Sequence, residues 1–413
     1  MHRRALLASA ASAALAACAA PAAPDAPPEP VRPDPVPPPL TPPLRSFDIA
    51  LYRAVAALGG NQFVSPYSIA SAFALLYPGA RGDTAREIMI IFGFDPDFAR
   101  QATQARSTAQ TLTANTGGSE FATANAAWVE RSMGLRAEYA RMVRDEMGGA
   151  IETVDFIANQ REALRRINAW AARETRERIR DIIREPNPDR RLVLTNAVYF
   201  KGKWADQFSA SATRDGDFFT GAETRVPARL MRQITHARYA EADGVQAAEF
   251  DYDGGAFALA VFLPRQRTGL EAFERTLVSG ADLDLWLRRL ADAQRQRLDV
   301  TLPKVEMEAE YELGETLQAL GLRLAFTGAA DFSGVTEAER LAISQVIHKT
   351  FLAIDEEGTE AAAVTAIDMV ATAAPMGPPP PPPIEFKADH PFFIVLHHKQ
   401  SGVRLFVGRV TTV

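Results

Sequence analysis

Apolar residues recur at Ile49, Leu51, Val55 and Leu58, the spacing of a helix over Phe47–Leu58, and Gly59-Gly60 ends it. Ser65 at an N-cap and Pro66 at the first helical position predict another helix start. Leu164, Ile167, Ala171, Ile179 and Ile182 fall on one stripe and predict a helix over Arg161–Arg184. Arginines occupy its other faces, but Glu162, Glu174, Glu177 and Glu185 are interspersed, so a salt-laced solvated surface is expected rather than a polyanion site. The period then changes. Leu192–Phe200 alternates and is rich in β-formers, and Ala258–Leu263 is a continuous apolar run closed by Pro264, the pattern of a buried strand. Val305, Met307 and Ala309 alternate with Glu306, Glu308 and Glu310. This reads as one wet strand face, because no turn or second ligand set completes a cation site. Pro391–His397 and Arg404–Val410 flank Lys399-Gln-Ser-Gly402 as a terminal hairpin. Strands and helices are mixed without strict alternation or repeats, which predicts one α+β domain.

The connection between the strand-like segments Leu341–Asp355 and Ile384–Leu396 is longer than a turn requires, and such loops are usually functional or disordered. Its first part is written as a strand. From Thr359 to Val370 the odd positions are Thr359, Ala361, Ala363, Thr365, Ile367 and Met369, uncharged and mostly small, while the even positions carry Glu360 and Asp368. That is the alternation of a half-buried strand, placed where an exposed loop belongs. A segment with two possible homes suggests a switch.

The run Glu357, Gly358, Thr359, Glu360, Ala361, Ala362, Ala363, Val364, Thr365 resembles the reactive-centre-loop hinge of the inhibitory serpins, serine protease inhibitors whose loop insertion into a sheet is a known switching transition. The resemblance extends over nearly the whole globular part. Asn61–Ile69 with Gly79, Gly82 and Thr84 is similar to the family's first core helix and its exit. Ile167, Asn168, Trp170, Thr175 and Ile179 resemble a later helix, and Leu192–Trp204 resembles the central strand. Leu302-Pro303-Lys304, Ala330 to Gly334, His348-Lys349, Asp389 to Phe392 and Phe406 to Val410 follow in family order.

The resemblance implies the serpin fold, with three β-sheets, about eight to nine helices and an exposed reactive-centre loop. It implies a suicide-substrate inhibitor rather than an enzyme, acting as a monomer without cofactor or metal. Ser65, Ser68, Asn196 and His348 are implied as the polar cluster beneath the place where the central sheet opens, and Trp204 as packing at the top, where the loop first enters. Counting from Glu356 with family spacing places the scissile bond between Thr372 and Ala373, with Ala371, Ala374 and Met376 as alternatives for the residue before the cut. All are small or apolar, so an elastase- or subtilisin-like protease is the implied partner rather than a trypsin-like one. Pro378–Pro383 departs from the usual loop length and reads as a stiff polyproline II spacer, as a tolerated insertion, or as bait for a polyproline-recognising protein. A non-inhibitory serpin acting as a binding or scaffold lipoprotein is the rival reading.

The chain contains no Gly-x-Ser-x-Gly, Walker, Gly-x-Gly-x-x-Gly or His-Glu-x-x-His motif. Its net charge of −6 gives no footprint for nucleic acid. With 413 residues, 47% of them hydrophobic, a core of ample size is expected.

The N-terminus is read apart from the fold. Basic residues at Arg3 and Arg4 precede an Ala/Leu stretch, Ala5 to Ala17, too short to span a membrane. It ends in Leu15-Ala16-Ala17-Cys18, which resembles a bacterial lipobox, cleaved after residue 17 and lipidated on Cys18, the only cysteine. Ala19 after the cysteine favours the outer membrane, so an envelope-anchored protein on the periplasmic or extracellular side is expected. Residues 18–44 then form a lipidated Cys and Pro/Ala-rich linker, extended enough to hold a serpin domain of residues 45–413 up to about 80 Å from the membrane.

Overall fold

The structure, a computed structural model, describes residues 42–114, 116–147, 149–336, 341–359 and 381–413. Cys18, the loop residues Glu360, Ala361, Ala362, Ala363, Val364 and Thr365, and the bond Thr372–Ala373 lie outside the described residues.

Fifteen strands are present among the described residues. In chain order they are β1 (Gln62–Val64), β2 (Glu120–Glu130), β3 (Ala150–Val154), β4 (Leu192–Lys203), β5 (Arg214–Phe219), β6 (Arg225–Ala242), β7 (Val245–Asp251) and β8 (Phe257–Pro264). They continue as β9 (Arg295–Pro303), β10 (Val305–Glu312), β11 (Gln345–Ile354), β12 (Gly358–Thr359), β13 (Ile384–Lys387), β14 (Phe392–His398) and β15 (Arg404–Val410). One sheet has the order β10-β11-β12-β4-β2-β3. The other strands form a nine-stranded ladder, β1-β15-β14-β8-β7-β6-β9-β13, with β5 also on β6. Two of the three expected sheets are therefore joined. The 18-residue strand β6 joins them, pairing with β9 from Leu230 to Arg238 and with β7 from Arg238 to Ala242.

Side-chain alternation assigns the faces of the central strand β4. Val193 and Ala197 pack with Trp128, Trp170 and Ile347 beneath the helix Gln160–Glu174. Leu192, Leu194 and Asn196 face the other way, where the helix Pro66–Leu76 lies. Ser65 caps that helix, accepting from the Ser68 N–H at 3.3 Å, and Pro66 follows it, as the sequence predicts. Nine α-helices lie among the described residues.

Three sequence expectations shift in the structure. The first helix runs Pro42–Ala56 and stops before Leu58, which is 72% exposed. The helix expected over Arg161–Arg184 ends at Glu174, where Arg176 and Glu177 take left-handed φ of 51° and 66°. Beyond it Asn168 holds the chain back along the helix, accepting from the Ile183 N–H at 3.0 Å and donating to the Ile183 carbonyl at 2.8 Å. Ile179, Ile182 and Ile183 are thus buried with the helical stripe without being helical, and a shared burial face imitated a continuous period. The strand read over Leu341–Asp355 begins at Gln345, although Leu341 and Ile343 are already buried.

The alternation at Val305–Glu310 and the terminal hairpin appear as read, as β10 and as β14–β15. Glu308 and Glu310 lie 2.7 and 3.5 Å from the ammonium of buried Lys349, and Glu310 also pairs with Arg184 at 2.9 Å, so this face is an ion-paired surface.

Candidate functional site: a seam in the central sheet

Strands β11 and β4 run parallel and pair directly from Gln345↔Val193 to Thr350↔Val198. Above Thr350 they diverge, and β12 fills the top of the gap. Gly358 and Thr359 pair antiparallel with Lys203 and Gly202 of β4, and Thr359 pairs antiparallel with Ile354 of β11. The hinge thus enters the sheet at Thr359, whose side chain is 0% exposed and whose hydroxyl shares a 2.6 Å hydrogen bond with the Tyr252 hydroxyl.

The turn before Thr359 is tightly held. The Asp355 carboxylate accepts from the N–H groups of Glu357 and Gly358 at 2.9 and 3.2 Å, while the Asp355 N–H donates to the Gly358 carbonyl at 2.9 Å. Gly358 lies so close to β4 that a Cβ there would collide with the Gly202 carbonyl and the Lys203 Cα, so glycine is required by this approach. Trp204 donates from Nε1 to the Asp355 carbonyl at 2.9 Å and from its backbone N–H to the Glu357 carbonyl at 2.8 Å. Its ring stacks on Tyr252 at 4.6 Å between centroids. The Glu356 carboxylate accepts from Lys304 at 2.6 Å and from the Thr213 hydroxyl at 2.8 Å. Burial opposes its ionisation, but these hydrogen bonds prevail and hold it below the usual glutamate range. Burial pushes the neighbouring Asp355 up, against its two backbone hydrogen bonds.

Ser65, Ser68, Asn196 and His348 meet lower in the seam. His348 and Asn196 are register partners across it, two residues below the last direct pair. Their hydrogen bonds run in one direction. The Ser65 N–H donates to His348 Nε2 at 3.1 Å. With Nε2 accepting, Nδ1 of a neutral ring carries the proton and donates to Asn196 Oδ1. Asn196 Nδ2 donates to Ser68 Oγ and to Asn125 Oδ1. All four expected residues are fully or almost fully buried, and Asn125 on β2 extends the network to a third strand. Burial lowers the His348 pKa to about 3.

This shift has a sign that unfolding measurements read. The unfolded chain protonates His348 near pH 6.5, whereas the folded protein holds it neutral down to about pH 3. Between these values the unfolded state binds the extra proton, so stability is retained above pH 6.5 and is lost on acidification. The expected loss from this group is about 1.4 kcal/mol per pH unit below about 6.5. Urea unfolding of the wild type and His348→Gln from pH 7.5 to 5 checks it. The stability difference between the two should shrink by that slope, and a constant difference would reject the assignment.

Trp204 packs at the top, where the chain enters the sheet, as the resemblance implies. It lies eight residues beyond Asn196 along an extended strand, about 26 Å away at ~3.3 Å per residue, and so apart from the polar cluster. Tyr252, Asn125, Thr213 and Lys304 complete the two clusters and were not assigned a role from sequence. Tyr252 and Asn125 carry no local signal, since only the pairing of β4 with β2 and the stacking on Trp204 bring them in. Lys304 had one: adjacent Glu356 and Glu357 need a cation near any buried position.

The comparisons agree with this architecture. The serpin (serine protease inhibitor) family matches residues 43–413. A serpin-like protein of Thermococcus kodakarensis is 38% identical over 374 residues, covering 90% of this chain and 85% of that protein. Intracellular coagulation inhibitor 1 of Tachypleus tridentatus is 33% identical, covering 88% of this chain and 87% of its own length. Among solved structures, the specific serpin Serpin48 of the insect Tenebrio molitor superposes with a TM-score of 0.79 at 30% identity, covering 90% of this chain and 97% of its own. The family match over residues 43–413 and the mixed α+β architecture place the chain in the serpin family. Serpins are generally protease inhibitors rather than enzymes.

Proposed function

We propose that this serpin inhibits serine proteases by trapping their acyl-enzyme, and that it does so in a bacterial envelope, anchored through a lipid on Cys18. The observation that carries the reading is the seat of β12. An antiparallel strand has begun between two strands that otherwise pair in parallel. Parallel pairing is slightly less stable per residue than antiparallel pairing. Continuing β12 downward exchanges one parallel interface for two antiparallel ones and buries the small alternate residues Ala361, Ala363 and Thr365. The intact loop cannot complete this exchange while residues 360–380 are tied at both ends, by β12 at one and β13 at the other.

A protease supplies the release. Its serine oxygen attacks the carbonyl carbon at the scissile bond, with Thr372 as the assigned residue, forming an ester. The amine of Ala373 leaves with a proton and remains part of the C-terminal segment. The freed arm then inserts. Thr359 to Val370 extended is about 40 Å long, so the tethered protease is carried a distance of that order. The His348–Asn196 hydrogen bond spans the seam and must break as the arm passes. Small and apolar residues around the scissile bond fit an elastase- or subtilisin-like target.

The test mixes the protein with an elastase-type and a subtilisin-type protease and resolves the products on a denaturing gel, with mass analysis of the released peptide. A covalent complex that survives denaturation is expected, together with a peptide beginning at Ala373. Clean cleavage without a complex, and without a rise in thermal stability, would assign the protein to the non-inhibitory reading instead.

A further inference from the structure

A second site lies away from the seam. The segment 264–276, the β6–β7 turn and the helix Gly280–Asp292 enclose a cleft of about 490 Å³, within the range of small-molecule pockets. Its apolar lining comes from Val245, Pro264, Phe273, Leu285 and Trp286. Leu285 is 45% exposed, a large apolar surface left toward solvent at the cleft.

The charged groups on its rim decide what it selects. Arg265 is occupied, gripping the Glu241 carboxylate with two hydrogen bonds of 2.8 and 2.7 Å. Asp282 is occupied as well, accepting from the N–H groups of Val278 and Ser279 and from the Ser279 hydroxyl at the helix N-terminus. Arg289 differs. Its guanidinium stands over an aromatic face, 5.0 Å from the Trp286 ring centroid. Asp243 completes the charged set on the β6–β7 turn, exposed to solvent. A cation lying over an indole and beside an apolar floor is complementary to a ligand with a flat ring and an adjacent negative charge.

We propose that this cleft binds an aromatic carboxylate, with its ring against Phe273, Leu285 and Trp286 and its carboxylate on the Arg289 guanidinium. Planar carboxylate and planar guanidinium match in a two-bond fork, which supplies orientation as well as attraction. Neither the ring nor the charge alone accounts for the site. A neutral aromatic leaves Arg289 without a partner, and a small anion leaves the apolar floor wet. The site shares no residue with the hinge or the seam.

The probe is 2-naphthoate, titrated into the uncleaved protein by calorimetry and by tryptophan fluorescence. Saturable 1:1 binding is expected with a Kd at or below about 1 mM, the level such a small ligand reaches with ordinary efficiency. Arg289→Glu should weaken it at least tenfold, Arg289→Lys should weaken it less, and 2-naphthylmethylamine should not compete. Because Arg289 is exposed, these variants should keep the wild-type thermal midpoint and near-ultraviolet circular dichroism. Absence of saturation at millimolar 2-naphthoate, equal binding by Arg289→Glu, or tighter binding of the amine through Asp243 would each overturn the proposal.

Discussion

Thr359→Arg is expected to abolish the proposed inhibition and leave a protein that proteases cleave as a substrate. The wild-type threonine is fully buried between β11 and β4, with its hydroxyl on Tyr252 and the Trp204 ring stacked behind Tyr252. The site offers one hydroxyl partner and two aromatic rings. A guanidinium there would be desolvated without a counter-charge, and the cost of an uncompensated buried charge is several kcal/mol. In the proposed mechanism insertion continues from this residue, so the cost falls on the step that competes with deacylation. Three kcal/mol would slow insertion about a hundredfold. The acyl-enzyme should then hydrolyse, and the number of serpin molecules consumed per protease inactivated should rise by one to two orders of magnitude. The rate of loop cleavage itself should change little, because the scissile bond lies far along the chain. An unchanged yield of stable complex would reject insertion through β12. Thr359→Ser, which keeps the hydroxyl toward Tyr252, should inhibit nearly as well as the wild type.

Asn196→Leu is expected to destabilise the uncleaved protein by about 3 kcal/mol and to cost the cleaved one less, by the share of the bond to His348. In the uncleaved protein this substitution removes the acceptor of the His348 Nδ1–H and the donor to Ser68 and Asn125. Each buried polar group left without a partner costs about 1–3 kcal/mol. For a domain of this length, 3 kcal/mol corresponds to roughly 4 °C in midpoint. In the proposed inserted form a strand separates β11 from β4, and His348 and Asn196 are no longer register partners. The bond to His348 is then already broken, so in the cleaved form the substitution removes only the hydrogen bonds to Ser68 and Asn125. Thermal unfolding of both forms, with and without the substitution, checks this. Equal destabilisation of both forms would mean that the inserting strand does not pass between these residues.

Particular elements show what was legible in the chain. The alternation at Val305–Glu310 and the terminal hairpin were readable because burial on one face writes a period of two into local sequence. The same logic failed at residues 176–184, where a non-helical segment buries Ile179, Ile182 and Ile183 on the same surface as the preceding helix. Periodicity reports which residues face a core and says less about the backbone that brings them there.

The sequence by itself determined that residues 359–365 are written as a strand, that glycine precedes them, and that the chain follows the serpin order of motifs. These are local properties, fixed by side-chain size and polarity along a continuous segment. The pairing of distant segments is what seats Gly358 and Thr359 between β11 and β4. The parallel pairing of β11 with β4 ends at Thr350↔Val198, and this point depends on strands about 150 residues apart in the chain. The tertiary structure alone decided that Trp204 serves the hinge with Tyr252, while Asn196, on the same strand, serves the polar network with Asn125. The physical reason is that a hydrogen bond between distant segments leaves no period and no spacing in the sequence. It exists only once the sheet has brought its two ends within about 3 Å.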